Sequence, residues 1–319
     1  MTTVRLSWCH HEFMNEIREL AVRAALFEHL DRIVSQTSDE TLEWEQTASF
    51  EFLGEKFSVR QTRGRGINKP VGLEGALSIT TAFTPFGKRP PYEDLQGEDG
   101  YARYKYEGTN PDTHTNRSLR ICMEFALPLA YFVGVRQAAY KAIYPIYVIG
   151  DRPDKLEFTL SDDRAEIGRD LSLLTPAERS CAMKATRVRL HQPIFREQIL
   201  HAYTGACAVC HLKHAQLLDA AHIISDSKPR GEPEVPNGMA LCKIHHAAYD
   251  RNFMGIQPDR KIVINSELLK EVDGPMLKYG LQEMHGSKIA IPRNPKARPD
   301  PDRLEERFSE FLAYERSGQ

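Results

Sequence analysis

The sequence has no apolar run long enough to cross a bilayer, and it does not begin with the charged and apolar segments of a secretory leader. It also has no excess of basic charge. Its 42 Lys and Arg stand against 44 Asp and Glu, a formal net charge of -2 that argues against general affinity for polyanions. We find no internal repeat. A soluble, cytoplasmic protein without a membrane partner is expected, and 319 residues suffice for two domains of ordinary size.

Cysteine is scarce as well. Of the six cysteines, Cys9, Cys122 and Cys181 show no pattern that suggests a partner. This distribution fits the reduced thiols of a cytosolic chain better than a disulfide framework. The other three cysteines fall in one stretch of the C-terminal half.

That stretch contains two pairs of candidate metal ligands. One reads Cys207-Ala208-Val209-Cys210, and the other, after 31 intervening residues, reads Cys242-Lys243-Ile244-His245. A two-residue gap lets a tight turn aim both side chains at one ion, and two such pairs complete the tetrahedron that Zn²⁺ prefers. Buried thiols are the plain alternative. A redox pair is an alternative for Cys-x₂-Cys alone, but the second pair argues against it. The pattern predicts a structural zinc site.

A second set of residues is interleaved with the first: His222, Asn237, His246 and Asp250. Residues 219–224 are typical of an apolar strand that ends in a histidine, and residues 235–241 of a loop that leads toward a short helix. On that helix, His246 and Asp250 lie four residues apart and share one face. Such a face can hold a divalent cation.

The motifs in this order, Cys-x₂-Cys, Ala-His-Ile, Asn-Gly, Leu-Cys-x₂-His-His and Tyr-Asp, resemble the HNH (ββα-metal) endonucleases, in the branch found in predicted restriction enzymes. The intervals of 15, 9 and 4 residues between the members of the second set are similar to those of colicin-type members. The resemblance implies that His222 is the general base that takes a proton from water. It implies that Asn237 orients His222 or the loop, and that His246 and Asp250 hold Mg²⁺ or Mn²⁺.

One position departs from the family pattern. Many members carry an acidic residue or a second histidine directly before the catalytic histidine as a metal ligand, and here that position is Ala221. Asp219 points to the same side of the predicted strand as Ala221, so either Asp219 or water is expected to take the missing place.

The N-terminal half is predicted to consist mainly of strands behind a leading helix. Residues 12–34 place apolar side chains at three- and four-residue steps, which indicates a helix. Strand patterns follow over residues 44–59, 76–83, 129–135, 144–149 and 151–163. In the C-terminal half we expect helices over 193–203 and 301–314, a hairpin over 253–264 and an exposed arm over 291–303.

A segment of the N-terminal half is loosely similar to the SRA (YDG) class of PUA-like barrels, which read modified DNA bases. The similarity covers residues 64–150 and depends on Pro91-Tyr92-Glu93-Asp94 and on Asp99-Gly100-Tyr101 with the residues that follow. It implies a flipped-base pocket formed by Tyr92, Asp94, Tyr104 and Tyr106. Alternation puts Arg103 and Lys105 on the opposite face, toward phosphates. The alternative is that these tyrosines belong to the core and rim of the barrel.

Two basic segments are candidate phosphate contacts. Residues 56–69 contain Lys56, Arg60, Arg63, Arg65 and Lys69 without an acidic residue, and residues 184–214 contain five Lys or Arg against Glu197. A solvated surface face is the alternative for each. Because the second segment leads into the metal motif, we favour phosphate contact there.

The sequence therefore predicts an α+β protein in three parts. Residues 1–165 form an SRA/PUA-like recognition domain, 166–190 a connector, and 191–319 a zinc-stapled HNH domain with a C-terminal arm. The expected function is modification-dependent cleavage of double-stranded DNA, with structural Zn²⁺ and catalytic Mg²⁺ or Mn²⁺. One alternative is a non-cleaving, zinc-stabilised DNA-binding or regulatory protein. Another is a defence nuclease whose N-terminal domain senses a ligand other than DNA. Double-strand cleavage often requires two active sites, which leaves a homodimer open.

Overall fold

A computed structural model describes residues 2–37, 40–61, 66–84, 101–168, 175 and 192–317, with side chains described from Ile17 onward. The chain divides into two compact units, Met1–His191 and Gln192–Gln319. Most of the predicted connector lies outside the described residues. None of the described helices is both long enough and apolar enough to span a membrane.

The first unit begins with the predicted leading helix, α1, which runs over Thr2–Val34. Val22, Leu26 and Leu30 follow one another at four-residue steps and are fully buried in the core cluster. Phe50 and Phe132 are among the side chains that they join there. Burial of each such aliphatic side chain contributes about 1.5–3 kcal/mol, which holds the helix on the sheet.

The first unit combines helices with a mixed sheet, in agreement with the predicted α+β class. The strands of this unit are β1 (Thr41–Glu43), β2 (Ser49–Phe52), β3 (Glu55–Ser58), β4 (Ile67–Asn68), β5 (Ser78–Thr81), β6 (Ala102–Lys105), β7 (Leu129–Arg136), β8 (Ala139–Arg152) and β9 (Glu157–Ser161). The sheet order is β4-β5-β7-β8-β9-β6, with β1 also on β8, and β2 and β3 form a separate hairpin. The SRA- or PUA-like barrel stays a prediction.

Strand β8 accounts for the curl of this sheet. Its first part pairs with β1 and β7, and its second part pairs with β9, so one long strand serves two sets of neighbours. The β5–β7 pair is parallel, and the chain between them includes helix α2 (His114–Glu124). Sequence reasoning missed α2, although Thr113 is an N-cap whose side chain accepts from the Asn116 amide.

The second unit has a ββα arrangement at its centre. Helix α3 (Gln192–Ala202) precedes strands β10 (Leu218–His222) and β11 (Gly238–Cys242), which pair antiparallel and lead into helix α4 (Lys243–Asp250). The predicted helix over 193–203 is confirmed. The predicted loop over 235–241 is wrong for its second part, because residues from Gly238 onward form β11. All five residues of β11 are buried, so they lack the alternation that would have marked a strand.

The remaining elements pack beside this centre. They are β12 (Met254–Ile256), β13 (Ile262–Ile264), α5 (Ser266–Lys270), α6 (Pro275–Gly280) and α7 (Pro301–Ser317). The predicted hairpin over 253–264 and terminal helix over 301–314 are confirmed. The arm predicted as exposed over 291–303 is instead partly packed: Ala297 is 1% exposed, and the Asp300 amide donates to Pro236 O at 3.0 Å.

Candidate active site and metal cluster

Four side chains of the second unit converge as the first motif set predicts. The ligand atoms of Cys207, Cys210, Cys242 and His245 all lie within 4.8 Å of one another. The Cys210 and Cys242 sulfurs are 3.9 Å apart, and His245 Nδ1 is 3.1 Å from the Cys242 sulfur. Ligands about 2.3 Å from a tetrahedral ion are about 3.8 Å apart. The cluster therefore has the size of a single tetrahedral metal site.

The surroundings of the cluster also suit a metal. His245 Nε2 lies 2.7 Å from Gly280 O, so that nitrogen donates to the carbonyl and Nδ1 keeps its lone pair on the cluster side. The hydrogen bond from the Cys242 thiol lowers the pKa of Cys207, which favours the thiolate that metals bind.

His222 stands at the end of β10, where the two strands of the hairpin separate. Its Cα partner across the sheet is Gly238, and its ring stacks on Phe195 of α3 with centroids 4.2 Å apart. A Cβ at Gly238 would lie 2.5 Å from both Phe195 and Ile199. Glycine is therefore required at this register position for α3 to approach the hairpin and hold the imidazole.

Asn237 is fully buried and bonded to the chain that follows His222. Its Oδ1 accepts from the Ile224 amide at 2.9 Å, and its Nδ2 donates to Ile224 O at 3.0 Å and to Glu232 O at 3.1 Å. Its backbone oxygen accepts from the Ile223 amide at 2.9 Å. These bonds fix the exit of β10 and the loop of residues 225–234. They match the loop-orienting role among the two alternatives expected for Asn237.

His246 has a carboxylate near each of its ring nitrogens. Nε2 is 3.3 Å from Asp250 Oδ2, one helical turn later, and Nδ1 is 3.3 Å from Asp219 Oδ2 on β10. Asp219 also pairs with Lys243 at 2.5 Å. Burial by itself would raise the pKa of Asp219, but the hydrogen bonds from Lys243 and His246 outweigh it and lower that pKa. The two carboxylates therefore lie on different sides of one imidazole.

A cleft of about 370 Å³ brings residues of the second motif set and of the terminal helix together. It is lined by His222, Ile223, Ser225, Asp226, Lys228, His246, Asp250, Asn252, Arg307 and Glu310. His222 and His246 thus face the same space, as the resemblance requires, whereas Asp219 is not among the lining residues. Sequence reasoning missed Lys228, Arg307 and Glu310. These residues lie outside the motif, and they reach the cleft only through the packing of the folded chain.

The proposed base pocket of the first unit looks different in the structure. Tyr104 is 5% exposed, donates to Thr80 O at 3.2 Å and meets Tyr131 edge-to-face with centroids 6.0 Å apart. Tyr106 is 2% exposed and its ring lies 4.6 Å from that of Phe158. Both tyrosines are therefore core residues, which fits the core alternative expected for them rather than a flipped-base pocket. Tyr104 is covered by Tyr131, and Tyr106 is covered by Phe158. Tyr92 and Asp94 lie outside the described residues.

Hydrogen bonding also ties Tyr106 into the core. Its hydroxyl bonds to Asp151, and Arg120 Nη2 lies 3.2 Å from the same oxygen. Burial, followed by the bond to Asp151, raises the pKa of Tyr106 to about 12.

Arg103 and Lys105 do not form the exposed basic face predicted for them. Both converge on Glu157, with Arg103 at 3.5 Å and Lys105 at 2.7 Å, and Arg152 joins at 3.3 Å. Arg103 is only 5% exposed, so it belongs to a buried ion network. The prediction of an exposed face was wrong because alternation shows on which side of a strand a residue lies, but not which other residues cover that side.

The first basic segment is likewise less open than predicted. Arg60 is 3% exposed and lies between the rings of Trp44 and Tyr140, 4.3 Å and 3.7 Å from their centroids. Its Nε donates to Thr47 Oγ1 at 2.8 Å. Arg60 therefore serves packing through cation–π contacts. Arg63, Arg65 and all of residues 184–191 in the second basic segment lie outside the described residues.

Residues 207–257 match the HNH_2 family model, which is described as HNH endonuclease. This segment contains the β10–β11 hairpin, helix α4 and both motif sets. The chain carries an HNH endonuclease domain, and this supports a nuclease. No curated protein sequence matches the chain.

Two solved structures are similar to this chain at low identity. The modification-dependent restriction endonuclease TagI is 15% identical over 79% of this chain and 86% of its own, with a TM-score of 0.29. The type IV phosphorothioation-dependent restriction endonuclease ScoMcrA is 15% identical over 79% of this chain, with a TM-score of 0.23. This chain spans 53% of that protein's length. TM-scores this low establish neither a shared fold nor a shared function.

Proposed function

We propose that the HNH domain hydrolyses phosphodiester bonds of double-stranded DNA and that the first unit selects the target. The observation that carries this proposal is the single cleft lined by His222, His246 and Asp250. An imidazole suited to proton transfer and a pair of cation ligands face one space of a size that admits a phosphodiester group.

His222 is the general base in this proposal. Its stacking on Phe195 holds the ring plane, and the hydrogen bonds of Asn237 hold the backbone that follows it. A neutral imidazole accepts the proton of a water molecule as that oxygen forms its bond to phosphorus and the opposite P–O bond breaks. Because the His222 ring is already held in position, it does not have to reorient when it accepts the proton in the transition state.

His246 and Asp250 are the residues that would hold the divalent cation, which we take to be Mg²⁺ or Mn²⁺. His246 Nε2 and Asp250 Oδ2 are 3.3 Å apart, close to the separation of about 3 Å between adjacent ligands of an octahedral ion. The ion, when bound, supplies positive charge that stabilises the phosphate as its charge grows. Asp219 would then hold His246 Nδ1 as a hydrogen-bond acceptor, and water would supply the ligand that the side chain at position 221 provides in many family members.

Zn²⁺ is the ion we assign to the four-residue cluster. Three thiols and one imidazole form a closed donor set of the kind found in structural zinc sites. The ion would join the start of the HNH segment to the junction of β11 and α4, so its role is to fold the domain rather than to react.

Selection of modified DNA by the first unit rests on the sequence similarity over residues 64–150. Because Tyr104 and Tyr106 are core residues, a base pocket would have to use Tyr92, Asp94 and their neighbours. A homodimer would supply two active sites for double-strand cleavage.

Cleavage by the wild type and by His222→Ala tests the proposed chemistry. With Mg²⁺ or Mn²⁺ the wild type should cut DNA, and His222→Ala should lower the rate by at least about 10²-fold because the general base is lost. Zinc content should remain that of the wild type. The matched control is His214→Ala, an exposed histidine of the same domain that does not line the cleft.

Two results would contradict the proposal. Loss of zinc from His222→Ala would mean that the histidine is structural. Absence of cleavage by the wild type on every DNA tested, with binding retained, would favour the non-cleaving DNA-binding alternative, to which Ala221 lends some support.

A further inference from the structure

Helix α7 lies outside the segment that matches the HNH family, yet it forms one wall of the cleft. It contributes Arg307 and Glu310 to the lining. It is also joined to the loop of residues 225–234 by ion pairs between Lys228 and Glu310 at 2.5 Å and between Arg230 and Glu306 at 3.2 Å. The cleft therefore depends on an element that the family motif does not include.

The charges of the lining residues single out Arg307. Lys228 is paired with Glu310, and Asp226 and Asp250 add negative charge. Within the part of the chain that the structure describes, no carboxylate lies at ion-pair distance from Arg307. Its charge is therefore not matched by an ion pair there, in a cleft whose other fixed charges are paired or negative.

Arg307 is also held in position before any ligand binds. Nη1 donates to Asn252 Oδ1 at 2.6 Å, Nη2 donates to Tyr249 O, and the guanidinium lies 4.8 Å from the centroid of the buried Tyr249 ring. Both acceptors are neutral, so these bonds orient the guanidinium without cancelling its charge. A guanidinium has five N–H donors, and these two bonds require only two of them.

We propose that Arg307 binds a non-bridging oxygen of the DNA phosphate in the cleft and stabilises the second negative charge that develops there during hydrolysis. A phosphodiester carries one negative charge, and attack by water raises the charge on its oxygens. A planar guanidinium that is already oriented suits this task, because it donates to a phosphate without reorganising. This assignment rests on the proposed nuclease function.

If Arg307 had a purely structural role, its variants would behave differently from those of a phosphate-binding residue. The bond to Tyr249 O satisfies a carbonyl in the last turn of α4, so Arg307 also links α7 to α4. Arg307→Lys and Arg307→Gln both lose this two-point link, but only the lysine keeps the charge. Comparison of these two variants separates charge from packing, and Arg316→Gln is the control for removal of a cation from the same helix outside the cleft.

The experiment uses the zinc-loaded, full-length variants and a short DNA duplex. Affinity is measured over a range of salt concentrations without a divalent cation, and single-turnover cleavage is measured with Mn²⁺. Arg307→Gln should reduce the slope of log Kd against log salt by about 1, as loss of one phosphate contact does. It should also lower the cleavage rate by about 10²-fold, with Arg307→Lys at least tenfold faster than Arg307→Gln.

Equal salt slopes and equal rates for Arg307→Lys and Arg307→Gln would overturn the assignment, even if both variants lose thermal stability. A wild type that cuts no DNA would refute the proposed nuclease function instead. In that case the salt slopes of Arg307→Gln and Arg316→Gln still decide whether Arg307 contacts a phosphate.

Discussion

The imidazole of His246 lies between two carboxylates, and its two nitrogens therefore have different tasks. Asp250, which lies 3.3 Å from Nε2, lines the cleft, whereas Asp219, which lies 3.3 Å from Nδ1, does not. A ligand histidine commonly donates its other ring nitrogen to a carboxylate, which sets its tautomer and orientation. This arrangement explains how a site with Ala221 retains a function for Asp219 without direct coordination.

Asp219→Asn tests this assignment. The change removes the carboxylate that accepts from His246 Nδ1, and loss of such a partner typically weakens metal binding by about 10–100-fold. Affinity for Mn²⁺, measured by titration of the zinc-loaded protein, should fall by that amount while the melting temperature changes little. Asp259→Asn is the control, because Asp259 also pairs with a lysine, Lys288 at 3.3 Å, and does not line the cleft. An unchanged Mn²⁺ affinity in Asp219→Asn would contradict the assignment.

At the scale of secondary-structure elements, the β10–β11 hairpin and α4 are held from two sides. The four-ligand cluster lies at the end of the hairpin where Leu218 pairs with Cys242, and α3 packs where His222 pairs with Gly238. In our proposal a metal in the cluster would stabilise the junction of β11 and α4, and α3 would set the position of the proposed base, His222. Stability and catalysis should therefore respond separately to changes at the two ends.

Cys242→Ser should abolish stoichiometric zinc and destabilise the second unit. The free energy of zinc binding contributes directly to folding in small domains, so loss of one thiolate ligand should lower the melting temperature sharply. Metal analysis and thermal denaturation check both effects. His211→Asn is the control, since this exposed neighbour of Cys210 lies outside the cluster and asparagine tolerates its positive φ of 61°. Retention of one zinc per chain in Cys242→Ser would exclude the cluster as the site.

Gly238→Ala should destabilise the hairpin by about 1–3 kcal/mol, since overpacking a filled core carries that cost. The new methyl group would approach Phe195 and Ile199 to 2.5 Å, so α3 has to move and the ring that stacks on His222 moves with it. Chemical denaturation in the presence of zinc measures the change. Gly274→Ala is the matched control, because no atom lies within 4 Å of its added methyl group. Equal stabilities of the two variants would show that α3 accommodates the methyl group.

At the scale of the whole molecule, a catalytic unit shares its chain with a unit of different architecture. Tyr104, Tyr106, Arg103 and Arg60 are buried and serve the core of the first unit. In our proposal, the surface that selects a target would therefore be built from other residues. A recognition domain remains our proposal for this unit.

Matched genomic DNAs with and without base modification test that proposal. The wild type should cut the modified DNA faster, because a flipped modified base would gain stacking and edge contacts that the plain base lacks. Rates are compared at physiological salt with His222→Ala as the inactive reference. Equal cleavage rates on both DNAs would contradict the proposal of modified-base recognition. That result would favour the alternative in which the first unit senses a ligand other than DNA.

Local patterns determined part of the candidate site. The gaps in Cys207-x₂-Cys210 and Cys242-x₂-His245 suffice for a tight turn to converge on an ion, and a four-residue interval places His246 and Asp250 on one helical face. Alternation, in contrast, assigned Tyr104 to one side of a strand without revealing that its side chain is covered. Period and spacing describe neighbours within an element, and they contain no information on what packs against it.

The sequence by itself determined the resemblance to the HNH endonucleases and the intervals within two sets of candidate metal ligands, because those relations depend on short spacings and backbone geometry. Only the tertiary structure decided that 238–242 is a strand, that Asp219 and Asp250 lie at different nitrogens of His246, and that Arg307 reaches the cleft from α7. These relations depend on which apolar faces pack together, and that choice is made by the whole chain rather than by any one segment.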